Sequence, residues 1–195
     1  MENEVLRAIA QRRSHRAYAP RQISYEQLDA LLEAALSSPS ANNFQPWHFS
    51  VVQDPKLLER FHRAAEAAAY TRAREDRSPR YDTADFQVFY HAPTVFFISA
   101  PENHFYAPID CGIAAQTIAL AAQSVGLGSV ILGLPRDAFS GEARTELEKA
   151  LRFPEGYSFV IAVAVGYPTD EKPAHERKPN AFVIIANSDC QEADK

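Results

Sequence analysis

The sequence predicts one globular domain that combines amphipathic helices with short, buried β-strands. The chain has 195 residues, which is enough to bury one sizeable core. Its 46% hydrophobic and 23% charged residues are typical of an ordinary globular protein. Apolar residues recur with helical spacing in some stretches and form continuous runs in others, and no repeat or linker separates them. We therefore expect a single domain over residues 1–195.

Helices are predicted where apolar residues recur every three or four positions. Val5, Leu6 and Ile9 mark the first helix, and Ser24 with Gln27 matches a capping box at the start of the second. The third begins with an Asp-Pro N-cap, and the fourth is rich in alanine and ends at a glycine. The predicted helices lie over residues 2–11, from 24 to Pro39, over 55–69 and 109–125, and near 141–151.

Strands are predicted from short apolar runs bounded by turn residues. The central runs are apolar on both faces, which is typical of strands covered by helices on both sides. The predicted strands are Phe49–Val52, Thr94–Ala100, Ser129–Gly133, Phe159–Val165 and Phe182–Ala186. Between them, residues 70–86 are charged and poorly periodic. This stretch is therefore either a lid or a plain solvated surface loop.

Charge and cysteine usage exclude several classes of protein. The net charge of -5 argues against nucleic acid as the main partner. No apolar run of transmembrane length and no signal peptide is visible, so we expect a cytoplasmic protein that does not act at a membrane. Cys111 and Cys190 lie far apart and have no CxxC partner, so we expect reduced thiols, no disulfide and no zinc site.

Glycine usage excludes the common nucleotide-binding loops. All seven glycines lie at or after Gly112, so the first half contains neither a Walker loop nor a dinucleotide fingerprint. The stretch Gly126–Ile131 begins like the fingerprint, but it follows a predicted helix and has Ile131 at the third glycine position. A Rossmann site is therefore rejected. A phosphate bound near the N-terminus must be held partly by side chains.

A basic run, Arg12-Arg13-Ser14-His15-Arg16, follows the first predicted helix. Three guanidinium groups within five residues repel one another unless water or an anion lies between them. Arginine binds phosphate through two parallel hydrogen bonds, and serine supplies a further donor. The run therefore predicts either an anion-binding site or a solvated basic surface.

The connector Ser38–Phe49 joins the second helix to the first strand and is unusually rich in functional groups. It contains two amides, Asn43 and Gln45, together with the only tryptophan, Trp47. An amide offers a donor and an acceptor at once, which suits a heterocycle whose edge alternates C=O and N–H groups. The alternative is a buried turn in which the tryptophan fills the core and the amides satisfy the backbone.

Taken together, these stretches resemble the FMN-dependent nitroreductase family. Arg12–Arg16 is similar to the family's R-x-S-x-(R/K) element, and Pro39–Trp47 resembles its P-S-x-x-N-x-Q-P-W connector. The pieces Asp110–Gly112, Gly126–Ser129 and Val165–Pro168 resemble the family's later helix and its G-Y-P strand end. The matches cover most of the chain, in order and at plausible spacing.

The resemblance implies an α+β fold in which helices flank a mostly antiparallel central sheet. It also implies an intertwined homodimer with FMN bound at the subunit interface. The cofactor-binding residues that it implies are Arg12, Arg13, Ser14, Arg16, Ser40, Asn43, Gln45, Leu132, Gly133 and Arg177.

The resemblance also assigns roles to these residues. Arg12, Ser14 and Arg16 would meet the phosphate, the ribityl chain or the pyrimidine edge of the flavin, and Arg177 would bind the phosphate. The three connector residues would reach the flavin, some of them from the opposite subunit. The backbone of Leu132 and Gly133 would lie over the ring near N5.

The chain departs from the family pattern in two places. The family often has Gly-Gly where this chain has Ala41-Asn42. Asparagine tolerates a left-handed backbone, whereas alanine does so less easily. The family often has lysine two residues before its C-terminal arginine, and this chain has His175 there. One phosphate contact is therefore expected to be weaker or pH-dependent.

The activity implied is reduction of nitroaromatics, quinones or related small acceptors by NADH or NADPH. Hydride would pass to flavin N5 and then to the acceptor at the same site, in a ping-pong mechanism that needs no catalytic side chain. Three alternatives remain: flavin fragmentation or dehalogenation on the same fold, FMN binding without turnover, and a structural dimer with solvated arginines.

Overall fold

An antiparallel sheet forms the centre of the fold in this computed structural model, which describes residues 3–185. Its four strands are β1 (His48–Val52), β2 (Thr94–Pro101), β3 (Gly128–Leu132) and β4 (Tyr157–Gly166). They lie in the order β1-β2-β4-β3, and every neighbouring pair is antiparallel. The predicted α+β class with an antiparallel central sheet is confirmed.

Helices cover the sheet, and the second and third begin where the capping signals predict. Their bounds are α1 (Glu4–Gln11), α2 (Tyr25–Leu36), α3 (Pro55–Tyr70), α4 (Ala107–Ser124) and α5 (Arg144–Ala150). The predicted capping box is present, because the Ser24 hydroxyl accepts from the Gln27 N–H and the Gln27 side chain accepts from the Ser24 N–H. Asp54 is the N-cap of α3, and Gly126 follows α4 with a φ of +75°. Among residues 3–185, no helix combines the length and the apolar character needed to cross a membrane.

The central strand β2 contributes to two hydrophobic clusters, one on each face of the sheet. Val95 and Phe97 belong to the cluster that contains the buried side of α3, whereas Phe96 and Ile98 belong to the cluster with α2 and α4. This alternation is the period of two expected for a strand. Trp47 is buried in the second cluster, so the expectation that it fills the core is correct.

The predicted strand Phe182–Ala186 does not form within the single chain. Residues 182–185 pair with no strand, their side chains are 79–92% exposed, and Ala186 lies outside the described residues. A strand needs a neighbouring edge with which to exchange hydrogen bonds. The apolar pattern is therefore present, but within the described chain neither outer strand, β1 nor β3, supplies the partner.

The charged stretch 70–86 is anchored to the core. It contains two 3-10 turns, Arg74–Asp76 and Pro79–Asp82. Tyr81 is only 4% exposed, and its hydroxyl donates to Asp137 Oδ2 at 3.0 Å. This buried contact gives the stretch a defined conformation, in contrast to the plain solvated loop that the sequence left open.

Residues 14–19 dock against the end of the sheet because two glycines leave room for them. Ser14 pairs with Ser129 of β3, and the Ala19 N–H donates to the Tyr167 carbonyl at 2.8 Å. A Cβ on Gly128 would lie 2.8 Å from Pro168 Cβ and 3.0 Å from a His15 ring carbon. A Cβ on Gly166 would likewise lie 3.0 Å from the Tyr18 ring. Side chains at these positions would push the basic run off the sheet.

Candidate functional site

The candidate site is built around the docked segment, and a carboxylate fixes that segment from the other side. Asp170 Oδ2 accepts the Arg16 N–H at 2.9 Å, while Asp170 Oδ1 lies 2.7 Å from His15 Nδ1. Lys172 Nζ lies 3.3 Å from the same carboxylate. The Tyr18 hydroxyl donates to the His15 carbonyl at 2.8 Å. The segment 169–180 that follows β4, which we call the polar arm, is thereby tied to the basic run.

Ionisation of this cluster is set by its hydrogen bonds. Partial burial of Asp170 opposes ionisation, but donation from the Arg16 N–H, His15 and Lys172 outweighs it and holds the pKa of Asp170 below its ordinary value. Burial, and then the Asp170 charge, raise the pKa of the Tyr18 phenol well above its ordinary value. At neutral pH the cluster therefore contains a carboxylate acceptor and a protonated tyrosine donor.

The first cavity, which we call the basic cavity, has a volume of about 370 Å³. Its charged lining comes from both ends of the chain and consists of Arg12, Arg13, His175 and Arg177, with the apolar side of α1 as a further wall. Among the described residues, neither the Arg12 nor the Arg177 guanidinium has a hydrogen-bond or carboxylate partner. Cations without partners around one cavity form a site for an anion.

Arg13 lines the same cavity but also holds the backbone together. Its guanidinium donates to the Ala10 and Arg12 carbonyls at 2.8 Å each and to the Pro173 carbonyl at 3.1 Å. These bonds fasten the polar arm over the end of α1. Arg13 therefore positions His175 and Arg177 beside Arg12.

The second cavity, which we call the strand-end cavity, lies where β3 ends and has a volume of about 200 Å³. Arg16 lines it together with residues 130–134, which include the predicted Leu132 and Gly133. The remaining lining residues are Ser78, Arg80 and Tyr90, none of which the sequence identified. Arg16 and Arg80 lie on the Tyr90 ring, each with its guanidinium carbon 5.9 Å from the ring centre.

The predicted residues of the connector form a separate group. Ser40 Oγ accepts the Gln45 N–H at 2.9 Å, and the Gln45 amide donates to Asn43 Oδ1 at 3.0 Å. Both amides are exposed, and these residues line neither the basic nor the strand-end cavity. Within one chain, the structure does not bring the connector residues to the arginines.

The backbone of the connector takes unusual conformations at its polar residues. Asn42, Asn43 and Gln45 have φ values of 51°, 54° and 47°, in the left-handed region. Ala41 does not need that region, so replacement of the family's Gly-Gly creates no strain at Ala41. Left-handed asparagines are tolerated in turns, whereas a left-handed glutamine is uncommon and indicates that the turn is held by its surroundings.

A buried carboxylate supports the connector from below. Asp110 is 2% exposed, and its Oδ1 accepts the Ala41 N–H at 3.1 Å, whereas its Oδ2 has no partner among the described residues. Burial, followed by the Asp110 charge, raises the pKa of the neighbouring Cys111 to about 12. Cys111 is therefore a buried, protonated thiol and not a nucleophile. Cys190 lies outside the described residues.

Comparison with known proteins identifies the family. The sequence profile of the Nitroreductase family matches residues 9–167. The chain belongs to the nitroreductase family. A nitroreductase from Desulfitobacterium hafniense, solved with bound FMN, has a TM-score of 0.90 at 34% identity. That comparison covers 95% of this chain and 100% of the other.

Two relatives of this nitroreductase-family chain have names that describe an activity. A protein of Archaeoglobus fulgidus named "Putative NADH dehydrogenase/NAD(P)H nitroreductase" is 35% identical over 179 residues, which are 89% of this chain and 90% of that protein. An iodotyrosine deiodinase of Thermotoga neapolitana is 26% identical over 184 residues, which are 91% of this chain and 94% of the relative. The family resemblance is therefore confirmed, and with it the nitroreductase-like fold.

The sequence identified some of the residues at the two cavities and missed others. Motifs identified Arg12, Ser14, Arg16 and Arg177. The structure brings the three arginines to the two cavities, whereas Ser14 pairs with Ser129 and lines neither cavity. Arg80 was missed, because residues 70–86 show neither a period nor a family motif, and Tyr90, which follows this stretch, was missed for want of a motif. The closely spaced arginines at Arg72, Arg74, Arg77 and Arg80 were the only signal, and three of them form ion pairs with Asp82 or Asp137.

Asp170 holds the docked segment through His15 and the Arg16 N–H, and we call this contact the Asp170 clasp. Replacement of Asp170 by asparagine tests its contribution. We expect Asp170→Asn to lower the free energy of unfolding at pH 7 by about 1.5–3 kcal/mol, the contribution of hydrogen bonds to a charged group. The pKa of Asp170 is lowered on folding, so its contribution is complete above about pH 4 and is lost as the pH falls through the folded-state pKa. The difference between the two proteins should therefore shrink in acid.

Urea unfolding at several pH values measures this difference. Glu75→Gln is the matched control, because Glu75 is exposed and has no hydrogen bond or ion pair among the described residues. A wild-type and an Asp170→Asn protein of equal stability at pH 7 would contradict the role given to the clasp.

Proposed function

We propose that this chain is an FMN-dependent oxidoreductase that uses NADH or NADPH to reduce nitroaromatics, quinones or related small acceptors. The observation that carries the proposal is the placement of arginines without a carboxylate partner among the described residues at two cavities along the docked segment. Arg12 and Arg177 line the basic cavity, and Arg16 lines the strand-end cavity. A ligand with an anionic group at one end and a polar ring at the other fits this division.

The basic cavity suits the phosphate of FMN. A phosphate dianion accepts several charge-assisted hydrogen bonds, and Arg12 and Arg177 are free to donate them. His175 lines the same cavity, and its ring would add a further donor to the phosphate. Arg13 would act mainly by holding the arm in place.

The strand-end cavity suits the flavin ring. Arg16 is four positions after Arg12, so their Cα atoms are at most about 14 Å apart, which one extended ligand can span. Ser14 lies between the arginines and is available to the ribityl chain. The backbone of Leu132 and Gly133 lines the cavity, and Arg16 would stabilise negative charge on the pyrimidine edge.

When bound, FMN supplies hydride transfer from the nicotinamide and then to the acceptor, in alternation at one site. The protein would bind and orient the flavin and set its electrostatic environment. No side chain is required as an acid or base. We accordingly assign cofactor-binding roles and no catalytic residue.

We also propose a homodimer with the cofactor at the subunit interface. Apolar side chains that a stable monomer would bury are exposed on α1, on α4 and in residues 182–185. Those on the two helices are Val5, Leu6, Ile9, Ile109 and Ile113, with exposures from 37% to 66%. Residues 182–185 are exposed and unpaired, as is expected of a strand whose pairing partner belongs to another chain. In such a dimer, Ser40, Asn43 and Gln45 approach the cofactor from the second subunit.

A cytoplasmic location accompanies this proposal. A buried, protonated Cys111 and the use of NADH or NADPH are both consistent with a reducing compartment. No metal is proposed, and residues 3–185 contain no group of histidine, cysteine and acidic side chains suited to binding one.

Reductive dehalogenation at the same site is the second candidate. It is favoured by the position of residues 77–82, which lie over the strand-end cavity through Ser78 and Arg80. A dehalogenase would need such a covering segment to hold its substrate. Release of iodide from 3-iodotyrosine by the reduced protein, without turnover of nitro compounds, would select this candidate.

Mutation of the basic cavity tests FMN binding. We expect Arg12→Ala or Arg177→Ala to weaken FMN by about 1.5–3 kcal/mol, because each removes a charge-assisted hydrogen bond. The measurement is the quenching of FMN fluorescence on titration with apoprotein. Arg63→Ala is the control, since Arg63 pairs with Glu59 on the surface of α3. Unchanged FMN affinity in both variants would remove them from the site.

Sedimentation of the FMN-loaded protein tests the dimer. We expect a dimer in the wild type and dissociation toward monomer in Ile184→Asp, because a carboxylate in a buried apolar contact is strongly unfavourable. Ile184 is 79% exposed in the single chain, so the substitution should not unfold the subunit. Ile184→Val is the conservative control. A monomeric wild type that retains FMN would contradict the interface proposal.

A further inference from the structure

Arg80 lines the strand-end cavity but has no role in the cofactor assignment above. It projects from the turn Pro79–Asp82, whereas Arg16 belongs to the docked segment beside β3. The cavity therefore receives two guanidinium groups from two different elements. Arg16 is assigned to the flavin ring edge, so the second positive charge, that of Arg80, has no assigned role.

The charge of Arg80 is not neutralised by the acidic residues around it. Asp82 is engaged by Arg77 at 2.6 Å and by Arg74 at 3.4 Å. Asp137 is engaged by Arg72 at 2.9 Å. Among residues 3–185, the hydrogen-bond partner of the Arg80 guanidinium is the Tyr90 hydroxyl, which is uncharged.

Two like charges are held close together at this cavity. Partial burial, and then the charge of Arg16, hold the pKa of Arg80 below its ordinary value, although it remains protonated at neutral pH. Repulsion between the two guanidinium groups is relieved when an anion binds between or beside them. The cavity is therefore prepared for a negative group in addition to the flavin edge.

The backbone around Tyr90 is shaped to place its ring under both arginines. Tyr90 has a φ of 55°, which is rare for a bulky side chain. Gln87 is 7% exposed and holds this turn, since its side-chain oxygen accepts from the Phe89 N–H at 2.6 Å and the His91 N–H at 3.2 Å. A strained turn that is fixed by a buried amide is more typical of a functional position than of a solvated loop.

The two arginines differ in how firmly they are fixed. The Arg16 N–H is bonded to Asp170 and the preceding His15 N–H to Ser129 of β3, so this position suits a permanently bound group. Both residues are exposed, but Arg80 lies on the turn Pro79–Asp82, outside the sheet, and its guanidinium is held by the hydroxyl of Tyr90. This outer position suits a ligand that enters and leaves at each turnover.

We infer that Arg80 is a specificity-determining residue that selects electron acceptors carrying a carboxylate or a similar oxyanion. The inference rests on the proposed function, because it assigns Arg16 to the flavin and Arg80 to the exchanging acceptor. The acceptor class is therefore a small, flat, reducible molecule with a negative group at its edge. Neutral acceptors are reduced, but without the contribution of Arg80.

A matched pair of acceptors tests the inference on FMN-loaded protein. The pair is 4-nitrobenzoate, which is anionic, and 4-nitrobenzamide, which has nearly the same shape and no charge. In each reaction the nitro group takes the hydride of NAD(P)H and one proton, and nitroso product, oxidised nicotinamide and water are formed. We expect Arg80→Gln to lower kcat/KM at least tenfold for the benzoate and less than twofold for the benzamide.

Two further variants control this comparison. Arg74→Gln removes the same charge from the same segment at a side chain that is 80% exposed, and we expect it to change neither value. Arg80→Lys keeps a cation at the position and should recover most of the preference for the benzoate. Retention of this preference in Arg80→Gln would overturn the inference.

Binding without turnover gives an independent readout. Benzoate is not reducible here, and its binding to oxidised holoprotein can be followed by the change in the flavin absorption bands. We expect the dissociation constant to rise about tenfold in Arg80→Gln and to stay unchanged in Arg74→Gln. Equal losses for both acceptors, or a loss of FMN affinity in Arg80→Gln, would place Arg80 with the cofactor and overturn the inference.

Failure of the proposed function can be distinguished from failure of the inference about Arg80. A wild-type protein that binds no FMN overturns the proposed function and, with it, the role of Arg80. A wild type that binds FMN and reduces both acceptors, with no difference between them that depends on Arg80, overturns only the role of Arg80.

Discussion

The close approach of residues 14–19 to the end of the sheet is the contact on which the site depends. It exists because Gly128 and Gly166 have no Cβ where the segment and Pro168 pass. The Asp170 clasp then holds the other side of the segment through His15 and the Arg16 N–H. A segment with three arginines would repel itself in solution, but here its backbone is fixed from two sides. The fixed backbone therefore holds the arginines close together despite their repulsion, and they form a surface that can bind an anion.

Docking also distributes the arginines. The extended segment leaves Arg12 at the basic cavity and brings Arg16 to the end of β3, while Arg13 is used to fasten the polar arm. One ligand can therefore be held at two chemically different ends. The polar arm is followed by the exposed residues 182–185, so the proposed cofactor site and the proposed interface between two chains lie on one continuous segment.

Most of the fold could be predicted from sequence because its signals are local. Apolar spacing and capping residues located the helices, and apolar runs located the strands of the sheet. The strand predicted at Phe182–Ala186 was wrong for the single chain, because an apolar pattern does not reveal whether a pairing edge is within reach. Arg80 and Asp170 could not be assigned, because their roles depend on distant partners, Arg16 and His15, that only the folded chain brings near. The grouping of Arg12 with Arg177 was accessible only through the family motif.

The central claim is that the two cavities along the docked segment form a reducible FMN site. The most direct measurement is the visible absorption spectrum of the purified protein, without air, before and after addition of NADPH or NADH. The account predicts flavin bands that bleach when one of these reductants is added. A colourless protein whose spectrum is the plain sum of protein and free FMN after FMN is added would contradict it.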